Sequence, residues 1–322
     1  MATTSTSNTD FVEANIHSNF VLKTLPDSLL PTVFYRNVSD FTRGTTLDIP
    51  TIGTVTIQEV SENVPLDYKA IDSGTVNLTI TDYVGNAWYI TDKARQDGTN
   101  IEMLVQAQSE ETTRALAEYF ETQAFSVLDA GQTAGAANNI NGFSHRFNAS
   151  GDNDEIEIAD FSSMRLSFDK ANCPQGGRIA IVDPVVGASL EQKMQSNYSV
   201  NRNPTFQGML ETGFVADHRF MFNLFGWDVY TSNRLPTSTE TLTHWDGSGS
   251  SAITLGVANL FMCIGGDQIT PLMYAQRQAV QSEGERNKDF QRDEFLTTER
   301  YGLGVQRTDT LGVIKTHPTA LD

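Results

Sequence analysis

Thr46-Leu47-Asp48-Ile49-Pro50-Thr51-Ile52-Gly53-Thr54-Val55-Thr56-Ile57, answered after a polar interval by Val76-Asn77-Leu78-Thr79-Ile80-Thr81, is the passage on which the reading of this chain turns. Leu47, Ile49, Val55 and Ile57 recur at every second position in each pair, and most are β-branched, the pattern of a strand with one face covered. The second run returns the same alternation. Between them Glu59 to Gly74 is polar, contains Pro65 and has only scattered apolar residues. Residues 45–81 therefore read as an extended β-hairpin with a long projecting tip. Such a tip cannot bury itself, and excursions of this length in a compact chain are usually functional or wait for a partner. The expected partner is a neighbouring subunit, with Glu59, Glu62, Asp67, Tyr68, Lys69 and Asp72 as candidate contacts.

Upstream, residues 1–20 are small and polar, with Phe11 among the few anchors, and read as an N-terminal arm that also reaches a neighbour. Residues 21–44 carry apolar groups, but Pro26 and Pro31 interrupt any long helix, so short helical pieces are expected. Downstream, Asn100 is a good N-cap for a helix running to Ala130, with Gly131 as its stop. That helix would be about 45 Å long at about 1.5 Å per residue. Its polar middle, Gln106 to Thr113, suits a spine lying across a surface.

Gly131 to Glu155 is rich in Gly, Asn and Asp and reads as a loop, which closes a peripheral lobe over 82–155. Asp160 then caps a helix bearing Phe161, Met164 and Phe168. Pro174-Gln175-Gly176-Gly177 turns into the strand Arg178 to Val182, and Asp183-Pro184 opens another helix. Further strands are expected at Trp227 to Tyr230, at Val257 to Ile264, and as a closing pair around Phe295 and Val305. Helix, strand and helix in succession give an α+β fold, with a mixed α/β axial lobe over 156–294 and closing strands over 295–322 that return to the peripheral lobe.

Composition narrows the function. The 322 residues exceed a typical single domain, and 39% hydrophobic with 19% charged residues is ordinary for a folded globular protein. Forty acidic against 22 basic side chains give a net charge of −18, which gains nothing from neutralising phosphates, so tight non-specific DNA binding is not expected. Cys173 and Cys263 stand far apart with no CxxC spacing, which fits a reducing cytoplasm. The first residues lack a signal-peptide pattern, and the longest apolar run, around Leu255 to Ile264, is too short to span a bilayer. No membrane role is expected.

The order of features, polar arm, extended hairpin, long helix and mixed α/β lobe, resembles that of the major capsid proteins of tailed bacteriophages. Local motifs add to it. Cys173-Pro174-Gln175-Gly176-Gly177-Arg178 through Asp183-Pro184 is similar to that family's turn, strand and Asp-Pro helix start. Gly226-Trp227-Asp228-Val229-Tyr230-Thr231-Ser232-Asn233-Arg234-Leu235-Pro236 resembles its strand ending in a Ser-Asn-x-Leu-Pro corner. Tyr301-Gly302-Leu303-Gly304-Val305-Gln306-Arg307 resembles its late strand. The resemblance implies the Hong Kong ninety-seven-like capsid fold and a structural subunit that assembles with itself as hexamers and pentamers into an icosahedral head enclosing double-stranded DNA. It further implies a scaffolding protein, a portal protein and, in some members, decoration proteins as partners. Synthesis and assembly would take place in the host cytoplasm. In one branch a hairpin lysine is cross-linked to a neighbour's asparagine; Lys69 is the only lysine in this tip, and its plainer reading is a surface salt bridge.

The chemical alternatives find little support. The five histidines form no HExxH pair, and no phosphate-binding glycine loop is present. Gly247-Ser248-Gly249-Ser250-Ser251 lacks the G-x-S-x-G spacing of an exposed nucleophile. Gly151-Asp152-Asn153-Asp154-Glu155 offers oxygens to calcium, yet departs from the helix-flanked calcium loop, and an exposed acidic loop is the competing reading. No catalytic residue, cofactor or metal is therefore assigned. The charge-rich stretch around Arg286, Arg292 and Arg300 reads as a solvated face, with Arg292 and Arg300 as candidates for ion pairs between subunits. An encapsulin-like nanocompartment shell, related in fold, and an unrecognised hydrolase, which needs a cleft of convergent titratable groups, are the two rival readings.

Overall fold

In a computed structural model, the described residues are 34–39, 44–53, 55, 57–63, 65, 67–98, 101–132, 138–197, 220–245 and 249–319. The strands β1 (Tyr35–Asn37), β2 (Thr46–Ile52), β3 (Ser73–Thr79) and β4 (Asp82–Thr91) lead into helices α1 (Asp92–Asp97) and α2 (Ile101–Gly131). Short strands β5 (Asn139–Ile140), β6 (Phe143–Ser144) and β7 (Arg146–Asn148) precede α3 (Ile158–Lys170), β8 (Arg178–Val182) and α4 (Pro184–Asn197). Among the described residues the elements that follow are all strands: β9 (Phe220–Leu224), β10 (Trp227–Thr231), β11 (Thr237–Thr243), β12 (Ser250–Cys263), β13 (Leu272–Asn287), β14 (Arg292–Val305) and β15 (Leu311–Thr316).

A seven-stranded sheet has the order β7-β15-β12-β8-β10-β9, with β11 also paired to β12, and a four-stranded sheet has the order β1-β13-β14-β4. Both faces of the larger sheet are covered, which is why β8 and β15 are buried at every position and read as continuous runs instead of alternating. On one face Phe161, Met164 and Phe168 of α3 pack with Trp227, whose indole meets Phe168 and Phe261 edge-on at 5.0 and 5.1 Å. On the other, Ala124, Phe125 and Leu128 of α2 meet Ile181, Leu260 and Val313. The buried Asn259 side chain donates to the Ile314 carbonyl (3.1 Å) and Thr316 Oγ1 (2.9 Å) and accepts from the Asp183 amide (3.0 Å), so its polar atoms are matched.

Four charges are enclosed beside this core. Arg146 and Lys315 are buried, as is Asp129, and the Glu240 side chain is 8% exposed. Arg146 donates to Asp129 Oδ1 (2.8 Å) and to Glu240, while Lys315 lies 3.3 Å from Asp129 Oδ2 and 3.4 Å from Glu240 Oε1. Two cations against two carboxylates leave the cluster neutral. Arg146 also donates to the Asp129 backbone carbonyl at 3.1 Å, supplying a cation at the negative end of α2.

His145 is fully buried, stacked on Phe168, with Nδ1 3.4 Å from the Phe143 carbonyl and Nε2 without a partner among the described residues. Burial lowers its pKa, with Asp309 and the Phe143 carbonyl opposing more weakly. A lowered folded value means that the neutral ring is the stable form, so stability is complete above the unfolded value near 6.5 and falls as pH drops below it. We expect the wild-type chain to lose stability between pH 7 and 5 relative to His145→Gln, measured by thermal melts across that range; parallel curves would refute this account.

The chain divides into two units. Within the described residues one comprises 85–98, 101–116 and 282–297, and the other holds the rest. This differs from the expected boundaries. The C-terminal half of α2 belongs with the seven-stranded sheet because Ala124, Phe125 and Leu128 are buried there. The far ends of β13 and β14 belong with the start of α2.

Other expectations are also corrected. In place of a helical segment reaching residue 44, Tyr35–Asn37 is a strand parallel to β13; residues 21–33 and 40–43 lie outside the described residues. The expected closing pair around Phe295 and Val305 is one strand, β14. The last strand, β15, lies between β7 and β12, where Leu311, Val313 and Ile314 are fully buried. Asp160 is not itself the cap of α3. The helix starts at Ile158 after Glu157, and the Asp160 carboxylate accepts from the Glu157 amide at 2.8 Å. Asn100 lies outside the described residues, whereas Asp183 does open α4, accepting from the Val185 amide at 2.9 Å.

Candidate assembly surface

β2 and β3 pair antiparallel from Thr46↔Thr79 to Ile52↔Ser73. Their root is anchored: Leu78 and Ile80 are buried with Met273 and Ala275, and Leu47, Ile49, Val76 and Val38 pack against them. Gly302 of β14 permits this approach, since a Cβ there would stand 2.7 Å from the Thr79 carbonyl oxygen and 2.9 Å from Ile80 Cα. The late Tyr-Gly motif thus holds β14 against the base of the hairpin.

Beyond the root the described residues of the hairpin are mostly exposed. Among them the last backbone bond across it runs from the Gly53 amide to the Asp72 carbonyl, at 2.9 Å. Ile52, Val55, Ile57, Val60, Tyr68 and Ile71 are each between 75 and 93% exposed. Of these six, the sequence reading named only Tyr68 as a contact and passed over the five aliphatic residues. Val55 and Ile57 continue the alternation of Leu47 and Ile49, but only the structure shows that the molecule's own core ends before them.

Glu59, Glu62, Asp67, Tyr68, Lys69 and Asp72 are all exposed on this finger. Between Gly53 and Asp72 four carboxylates face one ammonium group, a local balance of −3. Among the described residues Lys69 has no salt bridge. One tie spans the tip. Gln58 Nε2 donates to the Asp67 carbonyl at 2.9 Å, and Gln58 Oε1 accepts from the Asp67 amide at 3.1 Å.

The other candidates are placed elsewhere. Phe11 lies outside the described residues. Arg292 is engaged within its own unit: Nε is 2.6 Å from Glu294 Oε1, and the guanidinium stands 4.3 Å from the Tyr89 ring centroid and 4.8 Å from that of Phe290. That hydrogen bond holds the Glu294 carboxyl below its ordinary range. Arg286 pairs with Asp92 (2.7 Å) and Arg95 with Asp293 (2.6 Å), tying the strand ends to α1. Arg300 is half-buried on β14 without an ion pair among the described residues.

The acidic loop is used internally. Asp154 accepts from Ser251 at 3.0 Å, Glu155 accepts from Ser189 and lies 3.3 Å from Lys193, and Lys193 is 2.6 Å from Glu157. Among the described residues no cluster of His, Cys, Asp and Glu is arranged to hold a metal ion, and no helix is long and apolar enough to cross a membrane.

A mixed α/β core with a bare apolar finger is the arrangement of a subunit with a surface left for a partner. The phage capsid protein family model matches residues 73–316, and the chain belongs to that family. The fold is that of solved phage particles. Mycobacterium phage Che8 aligns with TM-score 0.66 and 17% identity over 95% of this chain and 97% of that one. The capsid of Cyanophage P-SCSP1u gives 0.68 and 16% over 95% and 93%, and that of Cyanophage Pam1 gives 0.65 and 14% over 100% of each. No curated protein matches the sequence. The chain is a structural major capsid protein of a tailed phage, located in the virion head, and it assembles with itself.

Proposed function

We propose that copies of this subunit tile an icosahedral shell as hexamers and pentamers around double-stranded DNA, each finger lying on the next copy. The observation that carries this reading is the row of exposed apolar residues beyond the Gly53–Asp72 bond. Removing one Val- or Ile-sized side chain from water contributes about 1.5–3 kcal/mol, so a finger that covers several supplies a substantial contact. Closed symmetry multiplies such contacts around every ring. The acidic balance suits a container whose contents must not adhere to it.

A scaffolding protein, a portal protein and decoration proteins complete the set of partners, and assembly takes place in the host cytoplasm after synthesis there. The role is mechanical, with no catalytic step. The phage capsid family match favours the virus over a nanocompartment.

The test is to replace Thr54 to Ile71 by Asn-Gly, a pair suited to a two-residue hairpin turn, closing the hairpin at its last ladder bond. The subunit should stay soluble with an unchanged thermal transition and form no shells by electron microscopy. Normal shells from the shortened chain would overturn the reading.

A further inference from the structure

We propose that Gln58 is a positioning residue that shapes the finger tip before a second copy arrives, an inference that rests on the finger's proposed role in assembly. Between the Gly53–Asp72 bond and the tip, the only hydrogen bonds across the finger among the described residues are the two made by the Gln58 amide to the Asp67 backbone. The side chain donates to the carbonyl and accepts from the amide of the same residue. That is the pair of bonds a strand residue would exchange with its partner, made here by a side chain where no ladder continues.

The position of this clamp gives it leverage. Gln58 lies one residue beyond Ile57, and Asp67 one before Tyr68, so holding 58 to 67 sets the spacing of two exposed apolar side chains on opposite limbs. It also closes the loop that carries Glu59, Val60 and Glu62, where Asn63 turns the chain with φ 64°. An unclamped tip would have to be ordered at the moment of docking, and that entropy would be charged against the contact. Neither bond is needed for the core, which ends at Val76 and Ile49.

Gln58→Ala removes both bonds; Gln58→Glu keeps the acceptor for the Asp67 amide and loses the donor to its carbonyl. The full-length subunit is first treated with trypsin, reading cleavage after Lys69, and each variant is then produced together with an equal amount of wild type and its share of the particles determined by mass spectrometry. We expect Gln58→Ala to melt as wild type, to be nicked at Lys69 several-fold faster, and to be about tenfold under-represented in particles, with Gln58→Glu between. Faster nicking with equal incorporation would overturn the inference, as would equal nicking and equal incorporation. Reduced incorporation without faster nicking would mean that Gln58 touches the neighbour directly, which also overturns a positioning role. If Gln58→Ala fails to fold, Gln58→Glu decides by the same two measurements. Because the shortened hairpin is judged separately, equal behaviour of the Gln58 variants beside loss of shells on shortening would remove this inference alone.

Discussion

Arg146→Met will lower the stability of the subunit by about 3–5 kcal/mol, and Asp129→Ala by a similar amount, as read from urea unfolding followed by circular dichroism. The cause is imbalance more than lost attraction. Arg146 and Lys315 are enclosed with Asp129 and Glu240, and removing one member leaves a surplus charge where water cannot reach it. Without Arg146, Glu240 and Asp129 face Lys315 alone, and the last turn of α2 loses the donor to its Asp129 carbonyl. The four residues come from α2, β7, β11 and β15, so the cost falls on the join between helix and sheet. Replacing all four by apolar residues of matched volume should recover most of the loss, since a buried ionic cluster is seldom worth more than good packing. A loss below about 1 kcal/mol for either single variant would show that the cluster is hydrated and cheap to break.

Val55→Asp combined with Ile57→Asp will abolish shell formation while leaving the melting temperature of the free subunit within about a degree. Both side chains are more than four-fifths exposed, so the free molecule has nothing to lose. The docked molecule would forgo about 3–6 kcal/mol of apolar burial per contact, and the two new carboxylates would be added to a finger that already carries an excess of −3. Sedimentation and electron microscopy should find only unassembled subunits. Shells at wild-type yield would place the neighbour's contact elsewhere.

Legibility in the sequence followed the range of the forces involved. The alternation of Leu47, Ile49, Val76 and Leu78 marks β2 and β3 because each residue's facing is fixed by its immediate neighbours. Asp183-Pro184 marks the start of α4 for the same local reason. β1 was beyond reach: Tyr35-Arg36-Asn37 is three residues long and extended only because it pairs with Leu272 to Tyr274 from the far end of the chain. The boundary between the two units was equally hidden, since α2 continues through it as one unbroken helix. At the assembly surface the polar tip residues were visible as polar, but that Val55 and Ile57 lack cover depends on where the core stops, and the Gln58 clamp depends on a fold-back that no nearest-neighbour signal encodes.

The placement of β15 sets the order in which a subunit becomes competent. This strand lies between β7 and β12, is parallel to the first and antiparallel to the second, and leaves the ribosome after both. Until Leu311 to Thr316 emerge, the larger sheet is split, Lys315 has not joined the enclosed charges, and Asn259 lacks two of its partners. A polypeptide that lacks these last residues therefore leaves β7 detached from the sheet and the enclosed charges out of balance.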